Sequence, residues 1–401
     1  MSGKTDAKQP GNRTLAIHAG TDHEAGNRPS APDIVMSSTF VVDQQVGFSA
    51  NNLTDDTPWM YTRWGNPTTA ELEAKLAALE SAEAGIAFAT GMAATTALLF
   101  HVLKSGDHLV IANTNYPGTA EFARETLTRY GVEVTPVDTT DLNNVRAAMR
   151  PETRLVWIET PSNPLLNITD IAGASAIAKE HGALLAVDST FATPVATRPI
   201  ELGADFVLHS LTKFIGGHGD AMGGSVCGSA EHLAGLRSEG LSHFGGVISP
   251  FNAWLIIRGI ATLDLRMRAH EANATAIAEY LEAHPSVERV LYPGLKSHPQ
   301  HALAARQMDN FSGMLSFRVK DSEALARRMM EKLEVIHYAV SLGHHRSLVY
   351  LMKSDELAHT SYALEGDALK DYMDTAGDGL FRLSAGIEDS ADLIADLDRV
   401  L

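Results

Sequence analysis

The chain has 401 residues, 45% of them hydrophobic, enough to bury the cores of two or three domains, which excludes disorder as a description of the whole. A formal net charge of −17 at pH 7 repels nucleic acid and anionic membrane surfaces, so any phosphate must be gripped by a local site, and a small-molecule ligand is favoured over a polymer. The single cysteine, Cys227, fits a reducing compartment, and with a polar N-terminus and no apolar run longer than Met92 to Leu103 it predicts a soluble, cytoplasmic protein without a membrane span.

Residues 1–65 contain Pro29, Pro32, Pro58 and the polar stretch Ser49 to Thr57, which predicts an irregular N-terminal arm. Within it, Ser2-Gly3-Lys4-Thr5 ends like a P-loop but lacks the upstream glycine and strand, and is a chance match. Thr68 stands three residues before Glu71, ahead of Leu72, Leu76 and Leu79, with Glu71 and Lys75 one turn apart; this predicts a capped helix that stops at Gly85. From Gly85 to about Gly228, apolar or β-branched runs alternate with helical stretches: Ile86–Ala89, Leu109–Ala112, Val132–Val137, Leu155–Glu159, Leu184–Val187, Phe206–His209 and Ser225–Cys227. Residues 66–250 therefore read as a large α/β domain with a mostly parallel central sheet covered on both faces. The Gly- and Ser-rich segment Gly240 to Pro250 reads as a connection. A long helix from Phe251 through Leu281 then opens a smaller α+β C-terminal domain, 251–401, with strands at Gly313–Val319 and Gly379–Leu383.

Open parallel sheets bind ligands beyond the carboxyl ends of their strands. Three predicted ends are loaded there: one finishes in Asp188, one runs into Thr160-Pro161-Ser162-Asn163-Pro164, and one runs into Ser210-Leu211-Thr212-Lys213. A carboxylate and a lysine so placed suit a cofactor that needs a partner for a pyridinium and an amine for a carbonyl; the plainer alternative is an ion pair at the sheet rim. The hydroxyls of Ser210 and Thr212 and the glycines of Gly216-Gly217-His218-Gly219 favour the cofactor, because they offer a phosphate small donors and close backbone approach. Ala89-Thr90-Gly91-Met92, where a strand meets an apolar helix, is a second phosphate cue. None of the 17 histidines joins a cluster with metal-site spacing, and Gly217-His218-Gly219 lacks the third glycine of a dinucleotide fingerprint.

Taken with Tyr61-Thr62-Arg63-Trp64-Gly65-Asn66-Pro67, Thr90-Gly91-Met92, Glu159-Thr160-Pro161-Ser162-Asn163-Pro164, Val187-Asp188-Ser189-Thr190, His209-Ser210-Leu211-Thr212-Lys213 and Arg382-Leu383-Ser384-Ala385-Gly386-Ile387-Glu388-Asp389, the chain resembles the Cys/Met-metabolism (trans-sulfuration) enzymes that use pyridoxal 5′-phosphate (PLP). That family includes cystathionine γ-synthase, cystathionine lyases, methionine γ-lyase and O-acylhomoserine sulfhydrylases, and the resemblance runs from about Thr14 to the C-terminus. It implies PLP fold type I, the aspartate-aminotransferase-like architecture. It implies that Lys213 holds the cofactor and moves the Cα proton, and that Asp188 pairs with the pyridinium nitrogen. Ser210, Thr212 and the backbone at Gly91 and Met92 would bind the phosphate, joined by Tyr61 and Arg63 from a neighbouring subunit, in a homodimer at least and usually a homotetramer. Tyr116 would stack on the ring and protonate a leaving group, Asn163 would lie near the cofactor's phenolic oxygen, and Arg382, Ser341 and Asn163 would receive the substrate carboxylate. Taken alone, Arg63 would be a solvated surface arginine and Tyr116 an ordinary loop aromatic.

The implied activity is γ-elimination or γ-replacement on a homoserine- or methionine-type amino acid through a β,γ-unsaturated intermediate. Departures from the family pattern bear on the substrate. Tyr116-Pro117-Gly118-Thr119 has glycine where methionine γ-lyases carry cysteine, and Val340 stands where cystathionine γ-lyases tend to place a glutamate. His344-His345-Arg346 is unusual, and is either an exposed basic turn or a substrate contact. The candidates are O-acylhomoserine, homocysteine or methionine, cystathionine, and a guanidinooxy amino acid such as canavanine. A reading of another class, a non-catalytic PLP-binding regulatory protein, is disfavoured because Lys213, Asp188, Tyr116 and Arg382 are retained together.

Overall fold

The computed structural model describes residues 10–21, 30–43, 47, 49 and 57–401; Ser2-Gly3-Lys4-Thr5, Pro29 and most of the stretch from Ser49 to Thr57 lie outside them. Seven strands form one sheet: β1 (Ala84–Phe88), β2 (His108–Ala112), β3 (Glu133–Val137), β4 (Thr153–Glu159), β5 (Leu184–Asp188), β6 (Phe206–His209) and β7 (Gly224–Gly228). Their order is β1-β7-β6-β5-β4-β2-β3, and every pairing is parallel except that β7 runs against both β1 and β6. Successive side chains point to opposite faces. Thus Leu155 and Trp157 pack with Leu98, Leu99 and Leu127 on one side, while Val156 and Ile158 pack with Ile171, Ala174 and Ile177 on the other. Burial on both faces makes the central strands β2, β5 and β6 and most of β4 apolar runs, while β3 at the edge is partly exposed; the runs read from sequence fall within two residues of the strands observed.

The helix after the arm, α2 (Pro67–Leu79), begins and ends differently from the expectation. Its cap is Asn66, whose side-chain oxygen accepts from Thr68 N at 2.9 Å, because Pro67 has no N–H to satisfy and a φ suited to the first helical position. The Thr68 hydroxyl instead ties down the arm, donating to Asp33 O and accepting from Val35 N, both at 2.9 Å. The helix stops at Leu79, and Gly85 belongs to β1, where a Cβ would fall 2.8 Å from Glu73 O. Lys75 approaches Glu71 at 3.5 Å but also donates to Ile17 O and Ala19 O at 2.9 and 2.8 Å. It thereby fastens α1 (Asn12–His18), a short helix in the arm that the irregular sequence did not announce.

The long helix expected from Phe251 is two helices, Pro250–Ile260 and Leu263–Ala283. Arg266, buried, explains the break: its guanidinium donates to Gly259 O at 2.7 Å, closing the first helix, and to Phe214 O at 2.7 Å and Ile215 O at 3.2 Å. Part of the connection expected at 240–250 is helical, since a π-helical segment covers Arg237–His243. Beyond it lies a second sheet of order β10-β11-β12-β9-β8, made of β8 (Val287–Leu291), β9 (Met314–Val319), β10 (His337–Tyr338), β11 (Leu348–Lys353) and β12 (Gly379–Ser384). One face of it packs against the helices Leu263–Ala283, Ser322–Lys332 and Ser390–Asp398. Only β9 and β12 were expected, because Val287-Glu288-Arg289-Val290-Leu291 is interrupted by charge and β10 is two residues long.

Candidate active site

The parallel strands β4, β5 and β6 end side by side, with Glu159 opposite Asp188 and Asp188 opposite Leu208 in the ladder. Asp188 is buried, and its Oδ1 accepts from Thr190 N at 3.0 Å and from Thr190 Oγ1 at 2.6 Å. The Thr190 hydroxyl in turn accepts from Ser210 N at 2.9 Å, so the end of β5 fixes the turn that follows β6. Thr212 is tied to Gly223 in both directions, at 3.1 and 3.2 Å. This turn presents Lys213, whose Nζ donates to Ser341 Oγ at 3.0 Å, from a segment 128 residues away. Burial, with the Arg382 charge second, lowers the Lys213 amine to about 8, which leaves an appreciable unprotonated fraction near neutral pH.

Opposite this turn begins α3 (Gly91–Val102), capped by Thr90 Oγ1 accepting from Ala93 N at 3.0 Å. A Cβ at Gly91 would lie 3.0 Å from Ser210 Cβ and 3.1 Å from its hydroxyl. A helix N-terminus thus meets a serine hydroxyl where only glycine leaves room, a cradle of the kind an anion occupies.

Tyr116 follows β2 and is half-exposed. It leads into α4 (Pro117–Glu121), and its ring lies over Gly118: a Cβ there would meet Tyr116 Cε1 at 2.7 Å and Met92 Sδ at 3.3 Å. Its backbone N–H donates to Glu159 Oε2 at 2.7 Å, while Glu159 Oε1 accepts from Asn163 N at 2.7 Å. Burial and the neighbouring Asp188 push the Glu159 carboxyl well up, and burial raises Asp188 too, opposed by the hydrogen bonds from Thr190.

Arg382, on β12, donates through Nη1 to Asn163 Oδ1 at 2.9 Å and through Nη2 to Ser341 O at 3.1 Å, and its Nε is buried without a partner. Burial lowers it to about 10. Tyr362, buried, bonds to the carbonyls of Asn115 and Asn163, both at 3.0 Å. Gly91, Met92, Tyr116, Asn163, Asp188, Ser210, Thr212, Lys213, Ser341 and Arg382 are therefore connected in one region. Tyr61 and Arg63 are apart from it. Tyr61 is exposed, and the Arg63 guanidinium sits 5.3 Å from its ring centroid and donates to Ser242 O of the same chain. Of the basic triplet, His344 reaches the site, with Nε2 3.4 Å from Ser341 Oγ; His345 is half-buried with its ring 5.7 Å from that of His218, and Arg346 is exposed.

A family model described as Cys/Met metabolism PLP-dependent enzyme matches residues 13–401. The chain belongs to this family. It is 42% identical over 400 residues to the L-methionine gamma-lyase of Fusobacterium nucleatum subsp. polymorphum, covering 99% of each chain. It is 44% identical over 391 residues to the cystathionine gamma-synthase of Mycobacterium tuberculosis, covering 98% of this chain and 97% of the other. Among solved structures, metB from Corynebacterium glutamicum superposes with a TM-score of 0.87 at 40% identity, covering 98% of each chain. The protein is thus a PLP-dependent enzyme of fold type I. The residues in the region fit that cofactor: the Gly91–Ser210 cradle suits its phosphate, Asp188 its pyridinium, and the Lys213 amine its aldehyde.

Glu159, Thr190 and Tyr362 are members of the site to which sequence reasoning assigned no role. For Glu159 a signal existed, a carboxylate closing a buried strand beside Asp188; Tyr362 comes from a distant segment and had none.

Proposed function

We propose that this PLP-dependent enzyme catalyses elimination or replacement at Cγ of a homoserine-type amino acid whose γ substituent is joined through oxygen. An acylated homoserine and a guanidinooxy amino acid such as canavanine fit this description, and methionine and cystathionine are the poorer substrates. The observation that carries the reading is the convergence of the Lys213 amine, the Asp188 carboxylate and the Arg382 guanidinium with the Tyr116 phenol around one basin.

When bound, PLP supplies an electron sink for charge developing at Cα. Asp188 keeps the ring nitrogen protonated. Arg382, fixed by Asn163 and Ser341, receives the substrate carboxylate through its guanidinium. Lys213, with its amine lowered to about 8, would take the Cα proton, hand it on to the cofactor carbon that bore the aldehyde, and so be free to take a second proton from Cβ. Tyr116 can donate a proton to the departing γ substituent, a transfer that matters most for a strongly basic leaving group and least for a carboxylate. Hydrolysis then yields 2-oxobutyrate and ammonia, whereas attack at Cγ by a thiol or water gives replacement.

The substrate preference rests on what surrounds the leaving group. Gly118 adds no side chain beside Tyr116, and Val340 is 65% exposed and carries no charge for a distal ammonium. Tyr61 and Arg63 complete the phosphate site of a neighbouring subunit in a cytoplasmic homotetramer, a role supported by exposed Met36, Val41 and Trp59 along the same arm. A panel of O-acylhomoserine, canavanine, methionine and cystathionine, scored for 2-oxobutyrate, homoserine and thioether products, tests the reading. The highest kcat/KM is expected for an oxygen-linked substrate, and a wide preference for methionine or cystathionine would contradict it.

A further inference from the structure

Ser341 holds a left-handed backbone conformation, φ 88°, that a residue with a side chain rarely adopts, and such strain persists only where surrounding contacts over-determine it. Here Arg382 Nη2 holds its carbonyl at 3.1 Å, Lys213 Nζ meets its hydroxyl at 3.0 Å, and His344 Nε2 lies 3.4 Å from the same hydroxyl, at the long end of hydrogen-bond range. The turn is pressed onto the lysine segment as well, since a Cβ at Gly343 would fall 2.4 Å from Phe214 N. His344 is confined in its turn, because a Cβ at Gly219 would strike its ring at 2.7 Å.

We infer that His344 is a positioning residue for Lys213, accepting the hydrogen of the Ser341 hydroxyl on Nε2 and so turning a Ser341 lone pair toward the lysine amine. This rests on Lys213 being the lysine that bears the cofactor. A hydroxyl has one hydrogen: once it is given to His344, Ser341 offers Lys213 only lone pairs, and the lysine must be the donor. The arrangement sets the direction of the amine as well as its distance. Burial, together with Lys213 and His345, lowers the His344 pKa below its ordinary 6.5, opposed by Asp220, so the ring is a neutral acceptor across the neutral range. A protonated His344 would donate on both nitrogens; Ser341 would then turn its own hydrogen to an unprotonated Lys213, and the lysine would lose part of the support for its ammonium form.

The test mixes cofactor-free protein with PLP and follows by absorbance the rate at which the cofactor joins Lys213, as a function of pH, without reference to turnover. In His344→Phe the midpoint of the rate profile is expected to fall and its alkaline plateau to slow about fivefold, the worth of one ordinary hydrogen bond. His344→Gln, whose amide oxygen accepts the same hydrogen, should restore the plateau to within about twofold. In a Ser341→Ala background the His344→Phe change should cost nothing more, because the intermediary is gone. Should His344→Phe not fold, His344→Ala replaces it in the same comparisons. A wild-type profile in His344→Phe, a Gln variant as slow as Phe, or additive losses in the double variant would each overturn the inference. A Lys213→Ala protein that gave the wild-type absorbance change would instead overturn the Lys213 assignment.

Discussion

Gly118 lies under the Tyr116 ring, and any side chain added there contacts that ring first, at 2.7 Å from Cε1. The ring is half-exposed and can move, so the substitution is accommodated by displacing the phenol rather than the backbone. Gly118→Cys is accordingly expected to narrow the space beside Tyr116, to lower kcat on the bulkier oxygen-linked substrates, and to raise the kcat/KM ratio toward methionine. Unchanged ratios for the two substrate types would remove Gly118 from the specificity argument. Asp188 and Lys213 drew notice at this scale because Asp188 ends the buried strand β5 and Lys213 lies in the turn four residues beyond the end of β6. The contacts of Lys213 with Ser341 and of Arg382 with Asn163 were not, since they join residues 128 and 219 positions apart, and family resemblance alone suggested that they share a site.

Arg266 acts between elements. Its guanidinium closes the helix Pro250–Ile260 and holds the two carbonyls that follow Lys213, it forms no ion pair with a carboxylate among the described residues, and burial lowers it to about 10. Arg266→Met keeps most of the volume but removes the donors to the Phe214 and Ile215 carbonyls, each at about 1–3 kcal/mol, while Gly259 O keeps its bonds from Thr262. A loss of about 3 kcal/mol or more should appear as a lower denaturant midpoint, accompanied by weaker retention of PLP; an unchanged midpoint would show that water replaces the guanidinium. The break that Arg266 stabilises was not read from the sequence, because the apolar periodicity runs on from Phe251 through Leu281; Gly259, two residues before the joint, was the signal available. The first sheet was readable almost strand by strand because both its faces are buried. In the second, β9 and β12 were read, whereas β8 is interrupted by Glu288 and Arg289, β10 is two residues long, and β11 was missed.

For the whole molecule, two properties follow. The arm carries Tyr61 and Arg63 away from the basin of their own chain, so Arg63→Ala should weaken PLP binding. Mixing it with Lys213→Ala subunits should restore part of the activity, through mixed assemblies in which one site receives both native residues. Failure to complement, or a fully active monomer in sedimentation, would place Arg63 in its own subunit. The second property is acid sensitivity. His270 is buried with Nδ1 2.7 Å from Ala385 O, which as a carbonyl only accepts, so Nδ1 carries the proton and the ring is neutral; burial pushes it down to about 4, and does the same to His298. Unfolded histidines bind protons near 6.5, so between that pH and about 4 the unfolded chain holds more protons than the folded one. The stability from these two groups is therefore complete above 6.5 and is lost as pH falls toward 4, at about 2–3 kcal/mol each. His270→Asn, which can still donate to Ala385 O but cannot titrate, should flatten the fall in denaturant midpoint; an equally steep fall would assign the sensitivity to other groups.

The central claim is that Lys213 carries the cofactor, and it can be read without any assumption about substrate. The PLP-loaded protein is reduced with borohydride, which fixes the cofactor to whichever amine it is bonded to, and is then digested and sequenced by mass spectrometry. One modified residue is expected, Lys213, in the peptide that follows β6, and no label in a Lys213→Ala protein treated alike. Label on another lysine of the wild type, with Lys213 recovered unmodified, would contradict it.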